Sequence, residues 1–272
     1  MICYFTGTGN TRWVAQQLAQ ATGERLVWIP DELKRKDATL HYVLEDGERL
    51  GFCFPTHGWQ PPRIVREFIR RASFTTSQDA PCQPSGNADR PAYVYAVTTC
   101  GDNMGHAMRI LNKELGRKGL RAAAVFAVLM PESNVCFPFL HLDTPQRERE
   151  KLEKARETVR RICDKVKARQ RDVSELIPGA IPYTYTYVIG GFYNRHLITD
   201  DKFWVDPQAC TRCGVCSKLC PVGDIECLPP RWKHDGSCTN CLACYHHCPQ
   251  HAIHWGKMKR GQYVFKMNEP AK

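Results

Sequence analysis

No stretch of this chain approaches the roughly 18 apolar residues that a membrane-spanning helix needs, so no transmembrane segment is expected. An apolar strand, Ile2-Cys3-Tyr4-Phe5, starts at position 2 and leaves no room for a signal peptide or transit segment. The expected location is therefore cytoplasmic. No recognised nucleic-acid module accompanies the basic run from Arg147 to Arg171, so that run reads as a solvated helix face and no nucleic-acid partner is expected. No side chain presents itself as a general acid or nucleophile. Disorder is excluded as a general description, because 43% of the 272 residues are apolar, enough for one ordinary domain plus a small one.

Cysteine is abundant, at 15 residues. A disulfide scaffold needs an exporting signal and usually a short chain, and neither is found. Nine of the 15 lie between 210 and 248, while Cys3, Cys53, Cys82, Cys100, Cys136 and Cys163 are scattered. Cys3 and Cys53 sit in strand-like runs and read as buried thiols. The formal charge of +10 counts cysteines as neutral.

The first 130 residues alternate between strand-like and helix-like stretches. Strands are expected at 2–5, 25–29, 50–55, 93–98 and 122–130, and helices at 10–22, 63–71 and 104–118. Continuous apolar strands in this alternation predict an α/β fold, a parallel sheet covered by helices on both faces. Asp143-Thr144-Pro145 opens a long helix with a capping Thr and Pro at the first helical position. Leu152, Ala155, Val159, Ile162 and Val166 recur on its apolar face. Residues 73–90 read as an exposed or partly disordered loop. Residues 178–202, with four tyrosines and a Gly-Gly pair, read as an aromatic linker that packs against a domain.

Thr6-Gly7-Thr8-Gly9-Asn10-Thr11 joins the first strand to the first helix. Glycines allow close backbone approach, and helix N-terminal amides favour an anion. Threonine hydroxyls and the Asn10 amide add donors. The loop has no lysine and no third glycine, so it fits neither a nucleoside-triphosphate loop nor a dinucleotide loop. A single terminal phosphate suits it better.

The stretch from Tyr4 to Thr11 closely resembles the FMN phosphate loop of flavodoxins. The resemblance implies a doubly wound, parallel five-stranded sheet ordered 2-1-3-4-5, with FMN at the topological switch point. It implies two further loops, Pro55-Thr56-His57-Gly58-Trp59 after strand three and Thr98-Thr99-Cys100-Gly101-Asp102-Asn103 after strand four. By the same resemblance Trp59 stacks on the isoalloxazine ring, the Gly58 peptide rotates its carbonyl toward N5, and the backbone from Cys100 to Asp102 donates to the pyrimidine end. His57 either tunes the flavin or is a polar loop residue. The 98–103 loop lacks the second aromatic wall frequent in flavodoxins. That ring face is left open to a partner or covered by residues 130–134.

Two copies of one cysteine pattern follow. Cys210-x2-Cys213-x2-Cys216-x3-Cys220-Pro221 is succeeded by Cys238-x2-Cys241-x2-Cys244-x3-Cys248-Pro249. Zinc prefers paired C-x2-C units separated by a spacer, so it fits poorly. Such runs hold two 4Fe–4S clusters, and in two-cluster ferredoxins the fourth cysteine of each run ligates the other cluster. Cys210, Cys213, Cys216 and Cys248 are therefore assigned to one cluster, and Cys238, Cys241, Cys244 and Cys220 to the other. Cys227 matches neither pattern and reads as a packed thiol. His246, His247, His251 and His254 read as polar cover that tunes potential.

The whole chain resembles the fused flavodoxin–ferredoxin proteins of anaerobic bacteria. The resemblance implies a flavodoxin-like FMN domain at 1–177, a linker at 178–202 and a small α+β two-cluster ferredoxin domain at 203–272. It implies an electron carrier of anaerobic metabolism that passes electrons between FMN, the two clusters and redox partner proteins such as ferredoxin-coupled oxidoreductases. The alternative is a flavin-dependent reductase of a quinone or nitro compound, fed by the clusters.

Overall fold

The computed structural model describes residues 1–76, 93–136, 141–227, 229–257 and 260–266. Strand β1 (Ile2–Tyr4) leads into helix α1 (Asn10–Thr22), and β2 (Leu26–Trp28) into the short α2 (Ile29–Leu33). Then come β3 (Leu40–Leu44), β4 (Leu50–Pro55), α3 (Arg63–Arg71), β5 (Ala72–Thr76), β6 (Val94–Cys100), α4 (Ala107–Gly116), β7 (Ala124–Leu129), α5 (Pro145–Lys167) and β8 (Val173–Glu175). A π-helical turn, Thr184–Ile189, runs on into α6 (Gly190–His196). The remainder comprises β9 (Phe203–Val205), α7 (Val215–Leu219), β10 (Ile225–Glu226), β11 (Arg231–Trp232), α8 (Ala243–His246) and β12 (Ile253–Trp255).

Six strands form one parallel sheet in the order β2-β1-β4-β6-β7-β8. Its first five keep the expected order, and β8 adds an edge strand that the sequence reading did not foresee. At three residues, Val173–Glu175, it is too short to carry a period. Alternate residues of the sheet serve two cores. Cys3, Phe5, Phe52, Phe54, Ala96 and Val125 pack with α3 and α4, whereas Ile2, Cys53, Tyr95, Val97, Phe126 and Val128 pack with α1 and α5. Burial on both faces is why these strands read as unbroken apolar runs. Each fully buried large side chain among them contributes about 1.5–3 kcal/mol. Thr144 caps α5 by accepting from the Arg147 amide at 3.3 Å, worth about 1 kcal/mol.

A second parallel pair, β3 with β5, was also unforeseen. In β3, Leu40, Tyr42 and Leu44 are buried and alternate with exposed residues, a period-2 signal that five residues carry only weakly. Residues 72–76 thus form a strand where a loop was expected from 73, and the rest of that expected loop, 77–90, lies outside the described residues, as does Cys82.

Residues 184–196 are helical and lie against two loops of the sheet. Gln60 Nε2 donates to the Thr186 carbonyl at 2.9 Å, and Thr186 Oγ1 accepts from the His106 amide at 2.7 Å. A third core joins β9, β10, β11, β12, α7 and α8 around Phe203, Trp232, Tyr245 and Trp255, and takes in Val135 and Cys136 from the loop after β7. That loop therefore belongs to both halves of the molecule.

Candidate functional site

At the carboxyl ends of β1, β4, β6 and β7 lies a cleft of two adjoining cavities. The first, about 70 Å³, is lined by Thr6, Gly7, Thr8, Asn10, Thr11, Pro55, Thr56 and His57 among others. The second extends the cleft to Gly58, Trp59, Asp102 and Asn103, and the two share Thr56, Cys100, Gly101, Glu132 and Asn134. The three predicted loops are thereby brought together, with 6–11 at one end and Trp59 and Asp102 at the other.

The loop end suits an anion. Gly9, the residue before α1, has φ 105°, and no side chain caps the helix, so its first amides are open to an acceptor. Several of the expected side chains already have protein partners. Thr6 Oγ1 accepts from the Gly9 amide at 3.1 Å, Thr11 Oγ1 meets Thr99 Oγ1 at 2.8 Å, and Asn10 Nδ2 donates to the Pro131 carbonyl at 3.1 Å. The side chains of Asn10 and Thr11 thus align the neighbouring loops.

At the other end, His57 to Gln60 form a type I′ turn. The two residues exchange amide–carbonyl bonds of 2.9 and 3.2 Å, and both central residues, Gly58 at φ 53° and Trp59 at φ 56°, are left-handed as that turn requires. A tryptophan in this region costs about 1–2 kcal/mol. Stacking on Tyr185, at 5.2 Å and 14°, holds Trp59 there, while Asn194 Nδ2 donates to the carbonyls of His57 and Gly58. The Gly58 carbonyl is thus held from outside the cleft. Tyr185 and Asn194, from the expected linker, form the outer wall of this turn, a role the sequence did not signal.

The loop after β7 supplies a carboxyl group. Burial pushes Glu132 above the usual carboxylate range even though it accepts the Ser133 and Asn134 amides. It lies against Gly101, where an added Cβ would meet Glu132 Oε2. Buried Lys151 ties this region by donating to the Gly101 carbonyl at 2.7 Å and to Asp143 at 2.6 Å. The sequence reading found no general acid. Glu132 is a candidate that only the fold reveals, because nothing local marks a Pro-Glu-Ser loop as half-buried.

The cysteines gather into two groups. Cys210, Cys213, Cys216 and Cys248 line one cavity, and Cys220, Cys238, Cys241 and Cys244 line another. The two runs have the same backbone. Arg212 and Asn240 stand at equivalent positions with φ 57° and 51°, as do Gly214 and Leu242 with φ 73° and 61°. The Asp224 amide donates to Cys220 Sγ at 3.2 Å, and the Ala252 amide, at the same offset, donates to Cys248 Sγ at 3.3 Å. Burial pushes the Cys241 thiol up to about 11 and raises Cys216, Cys238 and Cys244 as well. Thiolate ligation there would call for the compensating charge of a bound cation. Cys227 is exposed, contrary to the packed thiol expected. His246 is a buried tether between elements, facing the Ser133 carbonyl with Nε2 at 2.7 Å and accepting the Tyr263 amide on Nδ1 at 3.0 Å.

The second cysteine cavity abuts the cleft. Asn240, Cys241 and Leu242 line both. A Cβ on Gly7 would lie 2.2 Å from the Cys241 carbonyl oxygen, so the phosphate-type loop and the cysteine loop are in backbone contact. His57, whose ring faces the Thr239 backbone, spans the same junction. The segment 260–266 clasps it from outside, with Gln262 Nε2 donating to the Cys248 carbonyl at 3.0 Å, Tyr263 Oη donating to Asn10 Oδ1 at 2.6 Å and the Phe265 amide donating to the Thr8 carbonyl at 2.9 Å. Nothing in the sequence marked that clasp.

Comparison with known proteins bears on the cysteine half. Residues 203–226 match the family Fer4, described as a 4Fe-4S binding domain. Over 37 residues the chain is 38% identical to "Ferredoxin 7Fe" of Hydrogenibacillus schlegelii, which covers 12% of this chain and 47% of that protein. The match thus spans about half the length of that relative. Iron–sulfur chemistry, and with it a capacity for electron transfer, is indicated for this region.

Proposed function

We propose that the protein is an iron–sulfur flavoprotein that carries electrons between FMN, held in the cleft, and two 4Fe–4S clusters, held by the two cysteine groups, and exchanges them with a redox partner protein. In this reading the chain fuses a flavodoxin-like domain to a two-cluster ferredoxin domain. FMN supplies one- or two-electron exchange when bound, and each cluster supplies one-electron exchange.

The observation that carries the proposal is the contact of Gly7 with the Cys241 carbonyl. It makes the loop suited to a phosphate and the loop suited to a cluster two walls of one junction. Open amides at the start of α1, with Gly7 and Thr8, would hold the phosphate. Trp59 offers a ring face, and the backbone from Cys100 to Asp102 supplies polar groups for the pyrimidine edge. The matched backbone of the two cysteine runs supports a second cluster beside the one that residues 203–226 suggest. The group of Cys220, Cys238, Cys241 and Cys244 adjoins the cleft, whereas that of Cys210, Cys213, Cys216 and Cys248 shares no lining residue with it. This gives an internal order of cleft, near cluster, far cluster.

Anaerobic purification followed by flavin and iron analysis tests the reading. One FMN and eight irons per chain are expected. Less than about a tenth of an equivalent of flavin after FMN is added back refutes the flavin half, and four irons refute the second cluster. Glu132 favours a second reading, a flavin-dependent reductase of a small molecule, since a half-buried carboxyl in the cleft whose proton affinity is raised can hold a proton. Flavin reduction by NAD(P)H without a protein partner would select that reading.

A further inference from the structure

The far cysteine group opens onto a surface that neither the cleft nor the junction uses. A cleft lined by Phe203, Trp204, Arg212, Arg231, Trp232 and His234 adjoins it and shares Cys210 and Arg212 with its cavity. We propose that this cleft is the docking surface for an acidic one-electron carrier protein, which exchanges electrons with the chain through the group of Cys210, Cys213, Cys216 and Cys248. The inference rests on the two-cluster reading above.

Charge is the first argument. No carboxylate lines the cleft. Among the described residues, neither exposed arginine, Arg212 or Arg231, makes an ion pair or a side-chain hydrogen bond. Some other arginines are paired, as Arg49 is with Glu24, Arg70 with Glu114 and Arg161 with Glu175. Glu226 stands across the β10–β11 pair from Arg231 but forms no ion pair with it. Asp206 accepts the Gln208 and Ala209 amides, and Asp200 and Asp201 face His234. Exposed Lys218 and Lys233 extend the positive surface in sequence on either side.

Composition is the second. Trp204 is 45% exposed, and Phe203 stacks on Trp232 at 5.3 Å and 9° beneath it. An aromatic floor with arginines at its rim is the usual make-up of a protein interface. A small-ligand site would instead fix its ligand with buried, precisely placed polar groups, and here the charged groups are solvent-exposed. Exposed cationic rims steer an acidic partner and speed its arrival without binding it tightly, which suits a carrier that must leave again. Cys213, exposed on the same loop as Arg212, brings the far group to the surface. The step balances with one electron: one cofactor is oxidised by one as the partner is reduced by one, and no bond or proton moves.

The test is binding of the anaerobically purified, cluster-loaded protein to an acidic plant-type 2Fe–2S ferredoxin as probe, with basic cytochrome c for contrast. The variant pair is Arg212→Asn with Arg231→Gln. Asn240 occupies the equivalent left-handed position in the second loop, so Asn at 212 keeps that backbone. Unchanged iron content and visible spectrum verify that both clusters remain. The expected result is salt-weakened binding to the ferredoxin only, reduced at least about tenfold in the double variant, with a matching fall in the rate of electron exchange. Trp204→Ala is expected to raise the dissociation rate. Affinity within about twofold of the parent, equal binding of cytochrome c, no ferredoxin binding, or binding of a small anion such as anthraquinone sulfonate alone would each overturn the proposal. A protein with fewer than two clusters would instead fail the reading it rests on, and iron analysis separates the two failures.

Discussion

Replacing Gly7 by alanine probes the junction between the two halves. Gly7 does not need a left-handed backbone, so alanine is tolerable there except for one neighbour. Its Cβ would sit 2.2 Å from the Cys241 carbonyl oxygen and 3.2 Å from the carbonyl carbon. Side-chain carbons essentially never come within 3.0 Å of such an atom, so the two loops must part by at least about 0.8 Å, the difference of 3.0 and 2.2. Both are backbone, pinned by the Phe265 amide on one side and, in the proposed reading, by a cluster at Cys241 on the other, and neither yields as a flexible side chain does. Overpacking of this kind costs about 1–3 kcal/mol, and a domain of this size loses roughly 2–4 °C per kcal/mol. Flavin is removed first, because a Cβ at residue 7 would also press on a bound phosphate. In cluster-loaded, flavin-free protein, thermal bleaching of the visible cluster band should shift down by roughly 2–12 °C. Gly23→Ala is the control, since its φ is 74° with nothing within 4 Å, so it reports backbone strain alone. Gly7→Ala bleaching at the parental temperature would show that the loops are not in contact and would remove the main support for an internal circuit.

Cys216→Ala and Cys244→Ala should each halve the iron, from about eight to about four per chain, by loss of different clusters, and should leave FMN bound. Iron analysis with EPR spectra checks both, and loss of the same signal in the two variants would break the ligand assignment. Thr8→Glu should weaken FMN at least about tenfold, because a carboxylate would face the phosphate with no lysine to offset it, with cluster content unchanged; flavin fluorescence titration measures it. Burial holds His57 down to about 4, below the 6.5 of a free imidazole. Its contribution to stability is therefore complete above about pH 6.5 and is lost as pH falls toward 4, by about 1.4 kcal/mol per pH unit. Urea unfolding across that window should show a flatter slope for His57→Gln, and an unchanged slope would mean that the imidazole is solvated.

Much of the architecture was legible because period and punctuation are local. The α1, β4 and α3 boundaries fall where apolar spacing and glycine or proline place them, and the Thr144 cap and Pro145 mark the start of α5. The cysteine spacing points to its own chemistry, since thiolates three and four residues apart can converge on one centre. Glu132, Tyr185, Asn194 and the clasp of Tyr263 and Phe265 were not legible. Each acts on residues distant in sequence, as Tyr263 does on Asn10, and burial of a carboxyl or stacking of a loop tryptophan leaves no local pattern. The sequence by itself determined the first five strands of the main sheet, its covering helices and the spacing of the two cysteine runs, because these follow from short-range periodicity and spacing. Only the tertiary structure decided that the Gly7 loop meets Cys241, that residues 184–196 wall the cleft and that the far cysteine group faces an arginine-rimmed surface, because those placements come from packing two separately encoded halves against each other.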